Sequence, residues 1–200
     1  MAFISNGTTI LDNGAFQASL GNLVFISEQT ASGSASISFT SGIDSTYPIY
    51  KFEFINIHPA TDGAEFKFNL STDAGSNYNV TKTTTHFYTF HTEDDAVASV
   101  NYDTGRDLAQ STAFQNLTGD TGNNNDQSLS GSLEIFNPSS TTFVKHFLAN
   151  TNSYYSSDSS YNSYVAGYGN TTNSIDAIRF QMSSGNIDSG TIKLYGIKDS

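Results

Sequence analysis

Apolar and polar side chains alternate strictly in Glu65-Phe66-Lys67-Phe68-Asn69-Leu70, and this stretch decides the class of the fold. Successive side chains of a β-strand point to opposite faces. Phe66, Phe68 and Leu70 therefore share one face, and the polar residues share the other. The pattern predicts a β-strand whose apolar face lies on the core of the protein.

A second alternating stretch is apolar on both faces toward its end. Tyr50, Phe52 and Phe54 share the first face, while Ile55 and Ile57 lie on the opposite one. A strand that is apolar on both faces is typical of the middle of a sheet with cover on both sides. We therefore expect a central strand here.

Turn-forming residues separate about ten such stretches, a spacing typical of antiparallel sandwiches and barrels. The sequence predicts an all-β, antiparallel two-sheet sandwich of jelly-roll-like form, as a single domain over residues 1–200. At most one short helix is expected, at Thr104–Ala113, and Asn150–Asn162 is expected to loop. The predicted core comprises Phe66, Phe68, Leu70, Ile178, Phe180, Ile192 and Leu194. The other predicted strands are Phe16–Leu20, Leu23–Gln29, Ser34–Phe39, Asn79–His91, Ser130–Phe136, Thr142–Asn150, Tyr161–Tyr168, Ile178–Ser183 and Thr191–Ile197.

The charge balance of the chain is strongly acidic. Eight basic residues face 19 acidic ones, for a net charge of −11 and an isoelectric point near 4.4. Such a surface repels phosphate, so we expect no nucleic-acid partner. Cysteine is absent, which excludes disulfides, thiolate metal sites and thiol catalysis. No apolar run is long enough to span a bilayer, and Met1–Gly7 has no basic region, so we expect neither membrane insertion nor a secretory signal.

The titratable residues do not form a recognisable metal or catalytic motif. His86 and His91 are five residues apart, which places them on opposite faces of a strand. The loop 119–126 carries Asp120 and Asp126 but lacks the closing glutamate of a helix-flanked calcium loop. No nucleophile elbow, phosphate-binding glycine pattern or marked pair of carboxylates occurs. We therefore expect no metal, no cofactor, no catalytic residues and no enzymatic activity.

A cluster of tyrosines lies among serines and asparagines near the C-terminal end. Exposed tyrosine combined with Ser and Asn is the chemistry of adaptable recognition surfaces, and tyrosine rings can also stack on sugars. The alternative is a tyrosine-bearing strand whose loops pack on the sandwich. The candidate binding patch consists of Tyr154, Tyr155, Tyr161, Tyr164 and Tyr168.

The last strand carries a family resemblance. The run Ser189-Gly190-Thr191-Ile192-Lys193-Leu194-Tyr195-Gly196-Ile197 resembles the last strand of jelly-roll structural proteins in tailed bacteriophages. The segments 47–54 and 71–78 are similar to the same proteins, and the likeness to virion proteins of marine and cyanobacterial phages runs nearly end to end. The resemblance implies no catalytic residues.

This resemblance implies a non-enzymatic virion structural protein, either a capsid-exterior decoration or a tail-associated component. It would assemble in the bacterial host cytoplasm and leave by lysis. The alternative is a carbohydrate- or receptor-binding module of a phage fibre or spike, with a host surface glycan as partner. A third possibility is a hydrolase on a β-scaffold, which would need two carboxylates facing each other across a cleft.

Apolar residues on the outer sides of strands predict self-association. Ile55, Ile57, Phe136 and Ile197 need cover, either from the chain's own loops or from another chain. We expect a dimer or trimer that also contacts other virion proteins. The N-terminal segment, residues 1–15, is expected to pack through its first ten residues against a neighbouring chain.

Overall fold

The computed structural model describes residues 3–5, 8–12, 15–16 and 22–199. Within these residues the regular secondary structure is entirely β, with no helix. The strands are β1 Phe3–Ser5, β2 Thr8–Asp12, β3 Ala15–Phe16, β4 Leu23–Ser34, β5 Ile37–Phe39, β6 Ile49–Pro59, β7 Phe66–Ser71, β8 Lys82–Thr92, β9 Ala98–Tyr102, β10 Gln115–Asn116, β11 Leu129–Phe136, β12 Lys145–Tyr155, β13 Ser159–Gly169, β14 Ala177–Met182 and β15 Ile187–Ile197.

The strands form two facing sheets and one small separate sheet. The large sheet has the order β4-β15-β6-β11-β12-β13-β8-β9, and the facing sheet has the order β10-β7-β14-β5. Every strand pairing in them is antiparallel. The predicted all-β, antiparallel two-sheet sandwich is confirmed.

The core lies between the two sheets and is dominated by phenylalanine. Phe180, on β14, packs its ring against Phe52 and Phe54 of the large sheet, with ring centroids 5.4 and 5.3 Å apart. It also stacks on Phe66 at 5.6 Å. All seven side chains predicted for the core are buried, because each lies on the inward face of its strand.

A β-bulge changes which face β6 presents after Ile55. Asn56 has a φ of 49°, and the pairing register of β6 shifts beside it. The extra residue reverses the side-chain alternation. Ile57 is therefore fully buried, contrary to the prediction that it shares the outer face with Ile55, which is 39% exposed. The expectation that Ile57 needs cover on the outer face of β6 is therefore wrong.

The bulge depends on a glycine opposite it. Gly190 has a φ of 118°, and a Cβ at this position would lie 2.6 Å from the carbonyl oxygen of Asn56. Only glycine tolerates both the backbone conformation and the close approach. Gly190 of the run 189–197 thus permits the bulge at Asn56.

The predicted helix at Thr104–Ala113 is wrong. One turn forms at residues 104–106, but the backbone then pairs with the edge of β8. Ser111 exchanges two backbone hydrogen bonds with Lys82, and the carbonyl oxygen of Leu108 accepts one from Thr84. Tertiary pairing satisfies the backbone groups that helix formation would otherwise use.

The segment Asn150–Asn162, predicted to loop, is also different in the structure. It forms the ends of β12 and β13, which are joined by a tight turn at residues 156–158. Asp158 occupies the left-handed region with a φ of 55°. The predictions also missed β9, which forms the edge strand beside β8.

The N-terminal strands β1, β2 and β3 pair only with one another within the described residues. The side chain of Ile4 is 59% exposed. Residues 1–2, 6–7 and 17–20, which include most of the predicted strand Phe16–Leu20, lie outside the described residues. Packing of this segment on a neighbouring chain stays a prediction.

Candidate binding surfaces

The five tyrosines of the predicted patch do not share one surface. They lie on the neighbouring strands β12 and β13, but alternation divides them between the two faces of the large sheet. Tyr154, Tyr164 and Tyr168 lie on the outer face. Tyr155 and Tyr161 lie on the inner face, where their rings stack with centroids 5.2 Å apart. The structure therefore divides the five tyrosines between two surfaces, and binding by any of them stays a prediction.

The outer face of one half of the large sheet holds no charged residue. Five outward positions on each of β8, β12 and β13, together with three on β9, lack Asp, Glu, Lys and Arg, and we call this surface the uncharged face. Its residues are Thr83, Thr85, Phe87, Thr89, His91, Ala98, Val100, Tyr102, His146, Leu148, Asn150, Asn152, Tyr154, Ser160, Asn162, Tyr164, Ala166 and Tyr168.

Large apolar side chains stand exposed at the centre of the uncharged face. Phe87 and Tyr164 stack with ring centroids 4.8 Å apart and nearly parallel planes. Leu148 beside them is 53% exposed. A shallow groove of about 370 Å³ runs between these residues, and Glu134 of β11 lines its edge. This surface is apolar and aromatic, with amides and hydroxyls around it.

The other half of the outer face is charged. Lys51 pairs with Glu53 on β6 at 3.2 Å, and Lys193 of β15 lies 3.8 Å from Glu28 of β4. These partly exposed pairs contribute little to stability. Their position shows that the outer face of the large sheet has a charged half and an uncharged half.

The inner face of β8, β12 and β13 carries a second aromatic group near the turn 156–158. Tyr161 is 4% exposed and is sandwiched between Tyr155 and Tyr88, whose centroid lies 4.5 Å from its own. These three rings and Phe90 line a cavity of about 240 Å³ together with three hydroxyl side chains, and we call this cavity the end pocket. The hydroxyl residues are Thr92, Ser157 and Ser159.

A charged network lies behind the end pocket. The Arg106 guanidinium donates to Glu65 and Asp103 at 2.7 Å each and to Asp120 at 2.8 Å. The Tyr155 hydroxyl donates to the second oxygen of Asp120 at 3.0 Å. Burial alone would lower the pKa of Arg106, but the hydrogen bond with Asp103 and the charge of Glu65 outweigh it, and the pKa is raised.

The network fixes the segment that crosses the inner face, residues 103–122. This crossing segment runs from β8, where the Asp103 amide donates to the His86 carbonyl oxygen, to β12, where Gly122 donates to Tyr154. Asp103 and Asp120 of this segment, together with Glu65, bind one guanidinium. They do not face one another across a cleft, which is the geometry that a glycosidase needs.

His86 and His91 lie on opposite faces of β8, as their spacing predicts. His91 is exposed and lies 2.9 Å from Asp95, whereas His86 is buried under the crossing segment. Burial lowers the pKa of His86 to about 4, so the ring is neutral at neutral pH. Among residues 22–199 and the described N-terminal strands, no three His, Asp or Glu side chains converge as metal ligands.

Two buried lysines were not anticipated from the sequence. Lys82 and Lys145 both pair with Gly169 in the large sheet, and both side chains face inward. The Lys82 ammonium donates to Asn69 Oδ1 and, at 2.8 Å, to the Val80 carbonyl oxygen. The sequence could have indicated that Lys82 is buried, because strand alternation places it on the same face of β8 as His86. A lysine at the start of a strand nevertheless ordinarily reaches solvent.

Burial lowers the pKa of Lys82 to about 7, from 10.5 in a solvated lysine, and this predicts a pH dependence of stability. Between these values the unfolded chain holds a proton that the folded protein has released. Stability should therefore rise with pH in this window, by up to about 1.4 kcal/mol per pH unit for one proton. We expect Lys82→Met to remove this slope in urea unfolding between pH 7.5 and pH 9.5, and Lys51→Met to retain it. Equal slopes in all three proteins would contradict the prediction.

No family model, curated protein or solved structure matches the chain. The described residues include no helix with the length and apolar character needed to cross a membrane.

Proposed function

We propose that the chain is a non-enzymatic structural protein of a tailed-phage virion, and that it associates with copies of itself through the uncharged face. The virion assignment rests on the resemblance of the segment 189–197, which forms most of β15 in the large sheet. Assembly in the host cytoplasm and release by lysis belong to the same proposal. Self-association rests on the geometry of the sheet.

The observation that carries the proposal is the absence of charge from this face in an acidic protein. Two copies with a net charge of −11 each repel one another over most of their surfaces. An interface between identical chains is therefore favoured where neither copy presents a carboxylate. The strand positions of the uncharged face carry no carboxylate, and those that contact it, Asp95, Asp107 and Asp158, lie at its edges. The face also presents Leu148, Phe87 and Tyr164 to a partner.

The size of the face fits such an interface. Stable protein interfaces use roughly 20 to 30 residues from each partner, with an apolar centre and a polar rim. The uncharged face spans four strands, with Leu148 and Val100 53% and 72% exposed. Threonines and asparagines lie between these apolar side chains along β8, β12 and β13.

A lysine introduced into the uncharged face tests the interface. We expect the wild-type protein to form a dimer or trimer in multi-angle light scattering, and added salt to strengthen the association by screening the acidic repulsion. Leu148→Lys should shift the protein to monomer, because the interface would then bury an unpaired charge. Ile55→Lys is the matched control, since Ile55 is exposed on the charged half of the same sheet.

The control variant should associate like the wild type. A wild-type protein that stays monomeric at high micromolar concentration and in high salt would overturn self-association, as would equal effects of both substitutions. The virion assignment has its own test. Gold-labelled antibody against the chain should decorate intact particles of the phage that encodes it, and labelling confined to lysate without particles would overturn it.

A further inference from the structure

We infer that the end pocket binds a neutral pyranose residue of a glycan. This inference goes beyond self-association and does not depend on it, because the end pocket and the uncharged face lie on opposite sides of the large sheet. The pocket is closed enough, at about 240 Å³, to hold a single sugar ring rather than an extended chain. The recognised unit would be one residue of a larger glycan.

The walls of the pocket match the two kinds of surface on a pyranose. Tyr88, Phe90 and Tyr155 supply an apolar aromatic wall on which the C–H groups of a sugar ring can pack. Tyr161 lies buried between the rings of Tyr88 and Tyr155 and supports this wall. Small-molecule sites generally combine such walls with a few convergent polar groups. In a glucopyranose ring the axial C–H groups point to the two faces and the equatorial hydroxyls project from the rim, so both kinds of wall are used at once.

The polar groups of the pocket are hydroxyls, which can both donate to and accept from sugar hydroxyls. Thr92 and Ser159 flank the pocket on the neighbouring strands β8 and β13, where they are directly paired. The Tyr161 hydroxyl is buried without a hydrogen-bond partner within the described part of the chain, at the end of the ring that packs against Gly119. Buried hydroxyls of this kind ordinarily have a partner, and a polar ligand or water supplies one.

The aromatic wall is held rigidly before any ligand arrives. Tyr161 is clamped between two stacked rings, and its Cζ would lie 2.8 Å from a Cβ at Gly119. The Tyr155 hydroxyl is anchored on Asp120, which Arg106 holds in turn. A wall that needs no ordering on binding loses less free energy to conformational entropy.

The carboxylates near the end pocket favour a neutral sugar over an acidic one. The carboxylate of Asp120 accepts a hydrogen bond from the hydroxyl of Tyr155, which lines the pocket. The nearby guanidinium of Arg106 is already bound by three carboxylates. An anionic sugar would therefore meet repulsion at the pocket without a cation to pair with.

Saturation-transfer NMR with the full-length protein tests the inference. The probes are glucose, galactose, mannose and N-acetylglucosamine, with glucuronate and sialic acid as the acidic comparison. We expect signals from at least one neutral sugar and none from the acidic ones. Tyr88→Ala should weaken the binding of that sugar by roughly tenfold or more, as expected for the loss of an aromatic contact at the centre of a site.

Phe143→Ala is the matched control, because Phe143 is an exposed aromatic residue outside both the end pocket and the uncharged face. It should leave the sugar affinity unchanged. Ser157→Ala is a second test that removes one pocket hydroxyl from the exposed turn 156–158, and it should weaken binding severalfold. The inference is overturned by no signal from any neutral sugar, by preferred binding of acidic sugars, or by loss of binding in Phe143→Ala with Tyr88→Ala unaffected.

Discussion

Replacing Phe180 with alanine is expected to lower the free energy of unfolding by about 4 kcal/mol, the typical cost of removing a large aromatic side chain from a tightly packed core. Phe180 is fully buried at the centre of the sandwich. Its ring contacts Phe52, Phe54 and Phe66 from both sheets, so alanine would leave a cavity that neither sheet can close alone. Urea unfolding followed by circular dichroism measures the loss.

Phe143→Ala is the control for this substitution. The chemical change is the same, but Phe143 is 69% exposed. Its truncation should alter the free energy of unfolding by no more than about 0.5 kcal/mol, as is usual for surface positions. A similar unfolding midpoint for both variants would mean that the sheets do not pack around Phe180 as described.

Replacing Arg106 with methionine is expected to lower the free energy of unfolding by about 2 to 3 kcal/mol. The guanidinium is the shared partner of three carboxylates, and its removal leaves those charges close together and partly desolvated. Full burial would raise the cost, but the Arg106 side chain retains 20% exposure and water moderates the repulsion. The crossing segment should loosen before the core does.

Hydrogen exchange distinguishes this local effect from global destabilisation. Residues 103–122 should exchange faster in Arg106→Met, whereas the amides of β14 should change only as far as global stability falls. Arg106→Lys should recover little, because the three donors of an ammonium lie on one nitrogen and cannot reach carboxylates that contact three different nitrogens of the guanidinium. Lys51→Met, which breaks a surface pair, is the control and should have almost no effect. Unchanged exchange in the crossing segment would show that Arg106 does not hold it.

The core was predictable because alternation is a local property. Each strand that alternates regularly places its apolar side chains on one face, and water drives that face inward whatever the strand order. Phe68, Phe180 and Leu194 could be assigned in this way without knowledge of their partners. The prediction failed at Ile57, because a bulge at Asn56 changes the alternation and depends on strands distant in the sequence.

The candidate site was only partly predictable. Tyr155 and Tyr161 were recognised as possible binding residues, but grouping them with Tyr164 ignored their alternation within the strands. Tyr88 and Phe90 were missed, because their closeness to Tyr161 follows from the pairing of β8 with β13. The role of Arg106 was missed for a similar reason, since its partners Glu65 and Asp120 come from separate parts of the chain.

The sequence by itself determined the β class, the inward faces of the regular strands and the acidic character, because composition and period-2 alternation act within each strand. Only the tertiary structure decided the strand order, the conversion of the expected helix into an edge of β8, the uncharged face and the end pocket. These features depend on which strands pair and in what register. Pairing is settled by contacts between distant residues, and a local pattern does not specify such contacts.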